Sequence, residues 1–456
     1  MPDARRRLKT AVIGGGLAGI TAALALVGEG AEVTVLEAKP RLGGATRSFA
    51  RDGLVIDTGQ HVFLRCCTAY LDLLGQLGMA GHAPIQPRFD VTVLSPRASR
   101  TSLWRNGLPS PLHLLPALAR YPHLSVSERL RVSRAALAFR GIDPADPKAD
   151  TVRLGDWMIS HGQDERARRA LWDLFTISTL NVPGDEACLS LAAKVVKTGL
   201  LGHSDAADIG LPALPLGTLH GEAALRRMDE LGVTSRVGAR AAAIEPRSAG
   251  GFTVTTLRSG EVFDVDAVVL AVPHQAAARL LPAGALPAPT VAGWSALGAA
   301  PIVNVHAIFD RRVMDLPFAA AVDSPVQWVF DRTRISGLEA SGDDGQYLAI
   351  SLSAADEYLD KPAAELQEQF VPALAELFPA VRDAQLKDFF VTREPRATFR
   401  QVPGCVSLRP QAATRLPGLV LAGSWTDTGW PDTMESAVRS GLNAVAALET
   451  GVRIPR

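Results

Sequence analysis

The chain has 456 residues, 47 Lys+Arg against 47 Asp+Glu, 47% hydrophobic residues and four cysteines. The balanced charge offers no basic surface for nucleic acid, and no apolar run approaches the roughly 18 residues that would span a bilayer. Cys66, Cys67, Cys188 and Cys405 form neither a C-x-x-C pair nor a disulfide framework, which fits a reducing compartment; the adjacent Cys66-Cys67 read either as a redox pair or as small buried hydrophobes.

Arg5-Arg6-Arg7 ahead of an apolar stretch mimics the start of a secretory signal. Residues 8–13 read instead as the first strand of a nucleotide-binding unit, so cleavage would destroy it and a cytoplasmic location is expected. Gly14-Gly15-Gly16-Leu17-Ala18-Gly19 follows as a G-x-G-x-x-G turn into a helix over residues 20–27. Gly14 suits the sharp turn, Gly16 lets backbone approach a pyrophosphate, and Gly19 lets the helix pack on the strand. The helix start, at Leu17 and Ala18, would point N–H groups at the phosphates. Residues 32–37 read as a second strand ending at Glu37, roughly 20 residues on, where a carboxylate accepts a hydrogen bond from a ribose hydroxyl.

Behind that strand, Ala38-Lys39-Pro40-Arg41-Leu42-Gly43-Gly44-Ala45-Thr46-Arg47 carries a second glycine pair. Gly43 and Gly44 permit a backbone turn against a cofactor, and Arg41 or Arg47 can supply charge to a diphosphate. The segment resembles the glycine-doublet flavoproteins of the amine oxidase and phytoene desaturase superfamily, which implies FAD as cofactor. Ala45 stands where that superfamily usually has arginine, which leaves open whether Arg41 or Arg47 touches FAD. Asp57-Thr58-Gly59-Gln60-His61 matches the superfamily's D-x-G segment beside the flavin ring, so the resemblance implies contacts from Gly59, Gln60 and His61. It likewise implies an adenine contact at Val237, in a stretch that reads as strand. Residues 266–273 read as a buried parallel strand, and residues 418–427 as a strand ending in glycine before a helix over 433–441. The resemblance implies cofactor contacts there from Gly423, Ser424, Thr433 and Met434, with Ser424 in place of the acidic residue many relatives carry.

An α/β fold follows. Residues 1–87, 212–293 and 401–456 are expected to form a Rossmann-like FAD-binding domain split in sequence. Residues 88–211 and 294–400 are expected to form an inserted α+β substrate-binding domain. Within the insertions, residues 112–121, 127–139 and 166–180 have helical periodicity. Residues 302–309, 327–330 and 347–352 alternate as strands, and residues 363–378 read as a helix. The aromatic residues there, with Trp430 on the cofactor side, are either core or the wall of an apolar tunnel for a long hydrocarbon, with Trp172, Phe175, Trp328 and Trp430 as substrate contacts. Residues 108–121, prolines among leucines, read either as a buried hairpin or as a surface dipping into a bilayer.

Three segments narrow the resemblance: residues 57–64, Leu171-Trp172-Asp173 leading to Asn181-Val182-Pro183, and residues 423–431. These are similar to the hydroxysqualene dehydroxylases, FAD-dependent enzymes of bacterial hopanoid pathways. The resemblance implies that hydroxysqualene, a long-chain isoprenoid alcohol, loses its allylic hydroxyl and gains hydride from reduced FAD. The product is squalene, and the electron donor is unidentified. Protonating the hydroxyl makes water the leaving group. His61 and Asp427 are the candidate proton donors; the competing readings are a hydrogen-bonding structural residue for His61 and a turn cap for Asp427. No metal ligand set is read. The other readings are an FAD-dependent desaturase of carotenoid or polyprenyl chains, then an amine oxidase, and, from a different class, a non-catalytic lipid-binding protein that kept FAD. A peripheral contact with the inner face of the plasma membrane would suit such a substrate.

Overall fold

The computed structural model describes residues 7–451, so Arg5 and Arg6 of the basic run lie outside the described residues. Five short segments, all but the exposed edge strand β3 largely apolar, assemble into a parallel sheet: β1 (Lys9–Ile13), β2 (Glu32–Glu37), β3 (Thr234–Val237), β4 (Ala267–Leu270) and β5 (Leu419–Leu421). Their order is β5-β4-β1-β2-β3, with every neighbour parallel. Burial on both faces explains why β4 and β5 read as unbroken apolar runs. Helices α1 (Leu17–Gly28) and α2 (Met434–Gly451) pack together on this sheet. They approach backbone to backbone, since a Cβ at Gly441 would overlap the Ala18 carbonyl. The strand order reverses beside β1, and the glycine turn leaves from that switch point, where open α/β sheets bind ligands.

A three-stranded antiparallel sheet (Ala241–Pro246, Phe252–Thr256, Val262–Val265) precedes β4. The second large layer is a seven-stranded sheet in the order Leu386–Thr398, Ala300–Phe309, Gln346–Leu352, Trp328–Asp331, Phe318–Ala321, Asp90–Ser95, Ala98–Trp104. All its pairings are antiparallel except that between Phe318–Ala321 and Asp90–Ser95. Helix Ala363–Leu377 covers one face through Leu366, Phe370 and Leu374, against Val303, Val305, Ala307 and Phe309. The alternate residues Asn304, His306 and Ile308 look the other way, where Ile308 meets Ile56 and Asn304 meets Thr58 of the cofactor-side chain.

The helices of the first insertion include Val126–Ala138, Leu154–Ser160, Asp173–Leu180 and Leu189–Val195. They form a bundle around Tyr121, Phe139 and Trp172. The fold is thus the expected α/β design, a split Rossmann-like sheet with an additional sheet-and-helix region. Strands at Asp90–Trp104, Phe318–Ala321 and Leu386–Thr398 had no counterpart in the sequence reading. The last carries Pro395 among charged residues, which a strand tolerates because it lies at the sheet edge. Among the described residues, no helix is long and apolar enough to cross a membrane.

Candidate active site

β1 delivers the chain into the glycine turn. Gly14 has φ +112°, a left-handed conformation, and a Cβ there would overlap the Ala271 carbonyl at the end of β4. At Gly19 a Cβ would overlap the Gly14 carbonyl, so helix and turn touch. Gly16 caps α1 with no side-chain hydrogen bond, and the first turn holds no acidic residue. The first-turn N–H groups and the helix dipole are therefore offered to an anion. The glycine doublet closes onto the same turn. The Gly43 N–H donates to Gly15 O at 2.8 Å, and a Cβ at Gly44 would lie 2.9 Å from Gly16 Cα.

Glu37 ends β2 beneath this floor. Its Oε2 accepts the Gly15 N–H and its Oε1 the Lys39 N–H, both at 2.7 Å, which fixes the carboxylate and leaves each oxygen further acceptor capacity. Val237 pairs with Glu37 across β2 and β3 and is 43% exposed, with exposed Ala38 adjoining. Ala45 is exposed, while the exposed Arg41 donates to Ser48 O. Arg47 is engaged elsewhere: its guanidinium pairs with Glu394 of the long edge strand at 2.7 Å. Backbone donors, glycine surfaces that a side chain would fill and a fixed acidic acceptor form a cradle that fits a dinucleotide pyrophosphate and ribose.

At the other end of the sheet, Gly423 follows β5 at φ +132°, and a Cβ there would lie 2.5 Å from Trp425 Nε1. The Ser424 carbonyl accepts from Arg409 and from Ser436, and Thr433 Oγ1 accepts the Ser436 N–H, capping α2 just before Met434. Asp427 is a turn cap here. It accepts the Gly429 N–H at 3.2 Å and the Gln411 amide at 2.8 Å, and it is partly exposed. Asp432, not singled out from the sequence, accepts the Phe399 N–H at 2.8 Å, and burial raises its pKa above the usual carboxylate range.

Between the two large sheets lies a buried polar cluster. Asp57 accepts from Ser48 Oγ, the Leu216 N–H and the Arg332 guanidinium, which is nearly buried directly after strand Trp328–Asp331 of the seven-stranded sheet. Gly59, Gln60 and His61 follow directly. Burial, and then the Arg332 charge, hold His61 down to about 4, so at neutral pH it is a neutral imidazole rather than a stored proton. His220, on a π-turn at Gly217–Glu222 that packs against the doublet loop, meets Tyr70 Oη at 2.8 Å. Burial lowers it to about 3. Asn304 donates to Thr58 O at 3.2 Å, yet its Oδ1 is buried with no hydrogen-bond partner among the described residues, as is Gln60 Oε1. Buried acceptors are rarely left unpaired without a reason.

Strand register places the aromatic candidates relative to this cluster. Thr392, Asn304, Ser351, Trp328 and Ala320 lie opposite one another in successive strands, one row across one face. Phe390, His306, Ala349, Phe330 and Phe318 form the next row. Two strand spacings, about 10 Å, separate Asn304 from Trp328. Trp328, Phe330 and Phe318 stack with centroids 6.1–6.4 Å apart. Trp172 sits elsewhere: it is a core residue, packed on Phe139 with its indole N–H donated to Gln163 at 3.0 Å. Phe175 is half-buried against Phe89. Trp430 lies between Lys194 and Arg439, at 4.9 and 5.0 Å, so its π-system already serves two cations. Asn304 and His306 had a sequence signal that went unread, polar residues alternating inside an otherwise apolar strand.

Cradle, carboxylate and capped C-terminal helix form a dinucleotide site, and the family match makes the chain an FAD-dependent oxidoreductase. The chain belongs to the flavin containing amine oxidoreductase family, whose profile it matches over residues 17–448. It is 30% identical over 450 residues to a hydroxysqualene dehydroxylase of Rhodopseudomonas palustris, covering 95% of this chain and 96% of that protein. It is also 24% identical over 458 residues to the 15-cis-phytoene desaturase of Narcissus pseudonarcissus, covering 96% and 79%. A solved putrescine oxidase shares the fold at TM-score 0.72 and 20% identity, over 98% of this chain and 99% of that one. Cyclohexylamine oxidase from Brevibacterium oxydans does so at 0.72 and 19%, over 98% and 100%.

Proposed function

We propose that this chain removes the allylic hydroxyl of hydroxysqualene reductively, releasing squalene and water. What carries the reading is the likeness, 30% over nearly all of both chains, to a hydroxysqualene dehydroxylase. Bound in the cradle, FAD in its reduced form supplies the hydride. The chain's own residues do the rest. The Asp57–Arg332 pair ties the flavin-side turn to the substrate sheet. Asn304 Oδ1 offers the substrate hydroxyl an acceptor where water is excluded, and the Trp328, Phe330 and Phe318 ladder gives the hydrocarbon an apolar wall. The hydroxyl must take up a proton to leave as water. Burial biases two carboxyls near the flavin-side segments, Asp57 and Asp432, toward holding one; Asp57 is committed to Arg332, which leaves Asp432 as the candidate, whereas His61 is neutral and suits orientation. An external electron donor must restore the reduced state after each turnover.

The second reading is a desaturase, favoured by likeness to plant 15-cis-phytoene desaturases at 24–25% over 96–98% of this chain. Separate anaerobic mixes of reduced holoprotein with hydroxysqualene and of oxidised holoprotein with 15-cis-phytoene distinguish the two. The expected result is squalene from the first mix and no bleaching of flavin in the second. Bleaching in the second without squalene in the first would establish the desaturase, and silence in both a non-catalytic role.

A further inference from the structure

Large apolar side chains are exposed in a cluster between residues 108 and 137: Leu108, Leu112, Leu115, Val126, Leu130 and Leu137. Val126, at 69% exposure, and Leu130, at 57%, are the extremes of the set. On helix Val126–Ala138, residues 126, 130 and 137 fall on one face at 3.6 residues per turn. Val132 and Ala135 turn inward to the helical core, so the stripe is held outward. The neighbouring elements adjoin it, because the Arg129 guanidinium clamps the helix to Ala119 O and Tyr121 O at the end of helix Leu115–Ala119.

The segment's own charge is predominantly positive. Residues 108–141 hold five arginines (Arg120, Arg129, Arg131, Arg134 and Arg140) and a single acid, Glu128. Glu128 is buried in the capping box with Ser125, and Arg131 is paired with Asp164. Arg120, Arg134 and Arg140 are exposed and have no carboxylate partner among the described residues. A balanced chain has therefore gathered cations around its exposed leucines. An apolar stripe flanked by arginines is the chemistry of a headgroup interface, where the side chains enter the acyl boundary and the guanidiniums meet phosphate.

We propose that this face, residues 108–121 together with helix Val126–Ala138, docks on an anionic lipid bilayer. It adds the amphipathic helix and the charge preference to the bilayer contact considered for residues 108–121. The docking stands on this surface alone; its use as the entry for a membrane-borne alcohol rests on the proposed function.

The test is flotation of the full-length holoprotein with phosphatidylcholine vesicles made with and without phosphatidylglycerol. The protein should float with the anionic vesicles, and added salt should weaken the association. Leu130→Asp with Leu137→Asp should lower partitioning by about tenfold or more. Arg134→Ala with Arg140→Ala should lower it severalfold, on anionic vesicles only. Both variants should keep wild-type flavin content and wild-type turnover of detergent-solubilised hydroxysqualene. Failure of wild type to float, or equal flotation of the aspartate variant, overturns the proposal. So does a solution dimer that the aspartate variant splits, which would make the stripe an interface between copies. Flotation without turnover in detergent would leave the docking intact and refute the proposed reaction.

Discussion

The two large sheets build their halves of the site from different materials. Beside the parallel sheet the site offers backbone: N–H groups of the first turn of α1, and glycine surfaces at Gly14, Gly16 and Gly44. The seven-stranded sheet offers side chains: Asn304 and Trp328 are fixed by strand register, and Arg332, directly after strand Trp328–Asp331, by its pair with Asp57. A backbone site resists added volume and is indifferent to most chemistry around it. A side-chain site tolerates volume and fails when one polar atom changes. The contrast suits a chain that keeps one cofactor and selects a substrate.

The largest effect should come from volume in the backbone half. Gly14→Val forces a branched side chain onto the Ala271 carbonyl at positive φ, so flavin retained per purified chain should fall below about a tenth of wild type. Retention of full flavin would break the comparison. Next, Arg332→Met leaves the buried Asp57 carboxylate unpaired and should cost about 3–5 kcal/mol in urea unfolding. Adding Asp57→Leu should recover part of that loss.

Asn304→Leu sharpens the contrast from the other half. It should lower kcat by about tenfold to a hundredfold with flavin content unchanged, since it removes a polar contact and no part of the cradle. An equal loss of flavin would place Asn304 with the cofactor instead.

Acid should act through the buried histidines. His61, His220 and His306 are held at about 4, 3 and 3, below the ordinary 6.5, with burial the leading cause. The folded state then binds fewer protons than the unfolded one. Their stabilisation is complete above pH 6.5 and drains as pH falls toward 4 for His61 and toward 3 for His220 and His306, by roughly 3–5 kcal/mol per group over the whole window. Urea midpoints at pH 7 and pH 5 check the sign. The smallest effect belongs to Arg47→Ala. Its partly exposed pair with Glu394 should be worth under about 1 kcal/mol, and flavin content should stay near wild type.

The same contrast explains what was legible in the sequence. Gly14 to Glu37 is one local strand–turn–helix–strand unit, so spacing alone exposed it, and Gly43-Gly44 lay within reach of the same reasoning. Asp57 and Arg332 are 275 residues apart, and no local pattern joins them. Leu386–Thr398 hid behind Pro395 and its charges because an edge strand need not alternate. Trp172 and Trp430 resembled tunnel walls by residue type. Only their neighbours, Gln163 and Phe139 for one and Lys194 and Arg439 for the other, show that both rings are committed. The polar residues of the Ala300–Phe309 strand were legible in principle, as Asn304 and His306 break an apolar run.

The reductive reading is tested most directly by a single turnover without oxygen. Fully reduced holoprotein is mixed with hydroxysqualene, and the return of oxidised flavin absorbance is followed while the products are quantified. The account predicts equimolar squalene and reoxidised flavin, appearing at the same rate. Reoxidation without squalene, or flavin that stays reduced in the presence of hydroxysqualene, would contradict it.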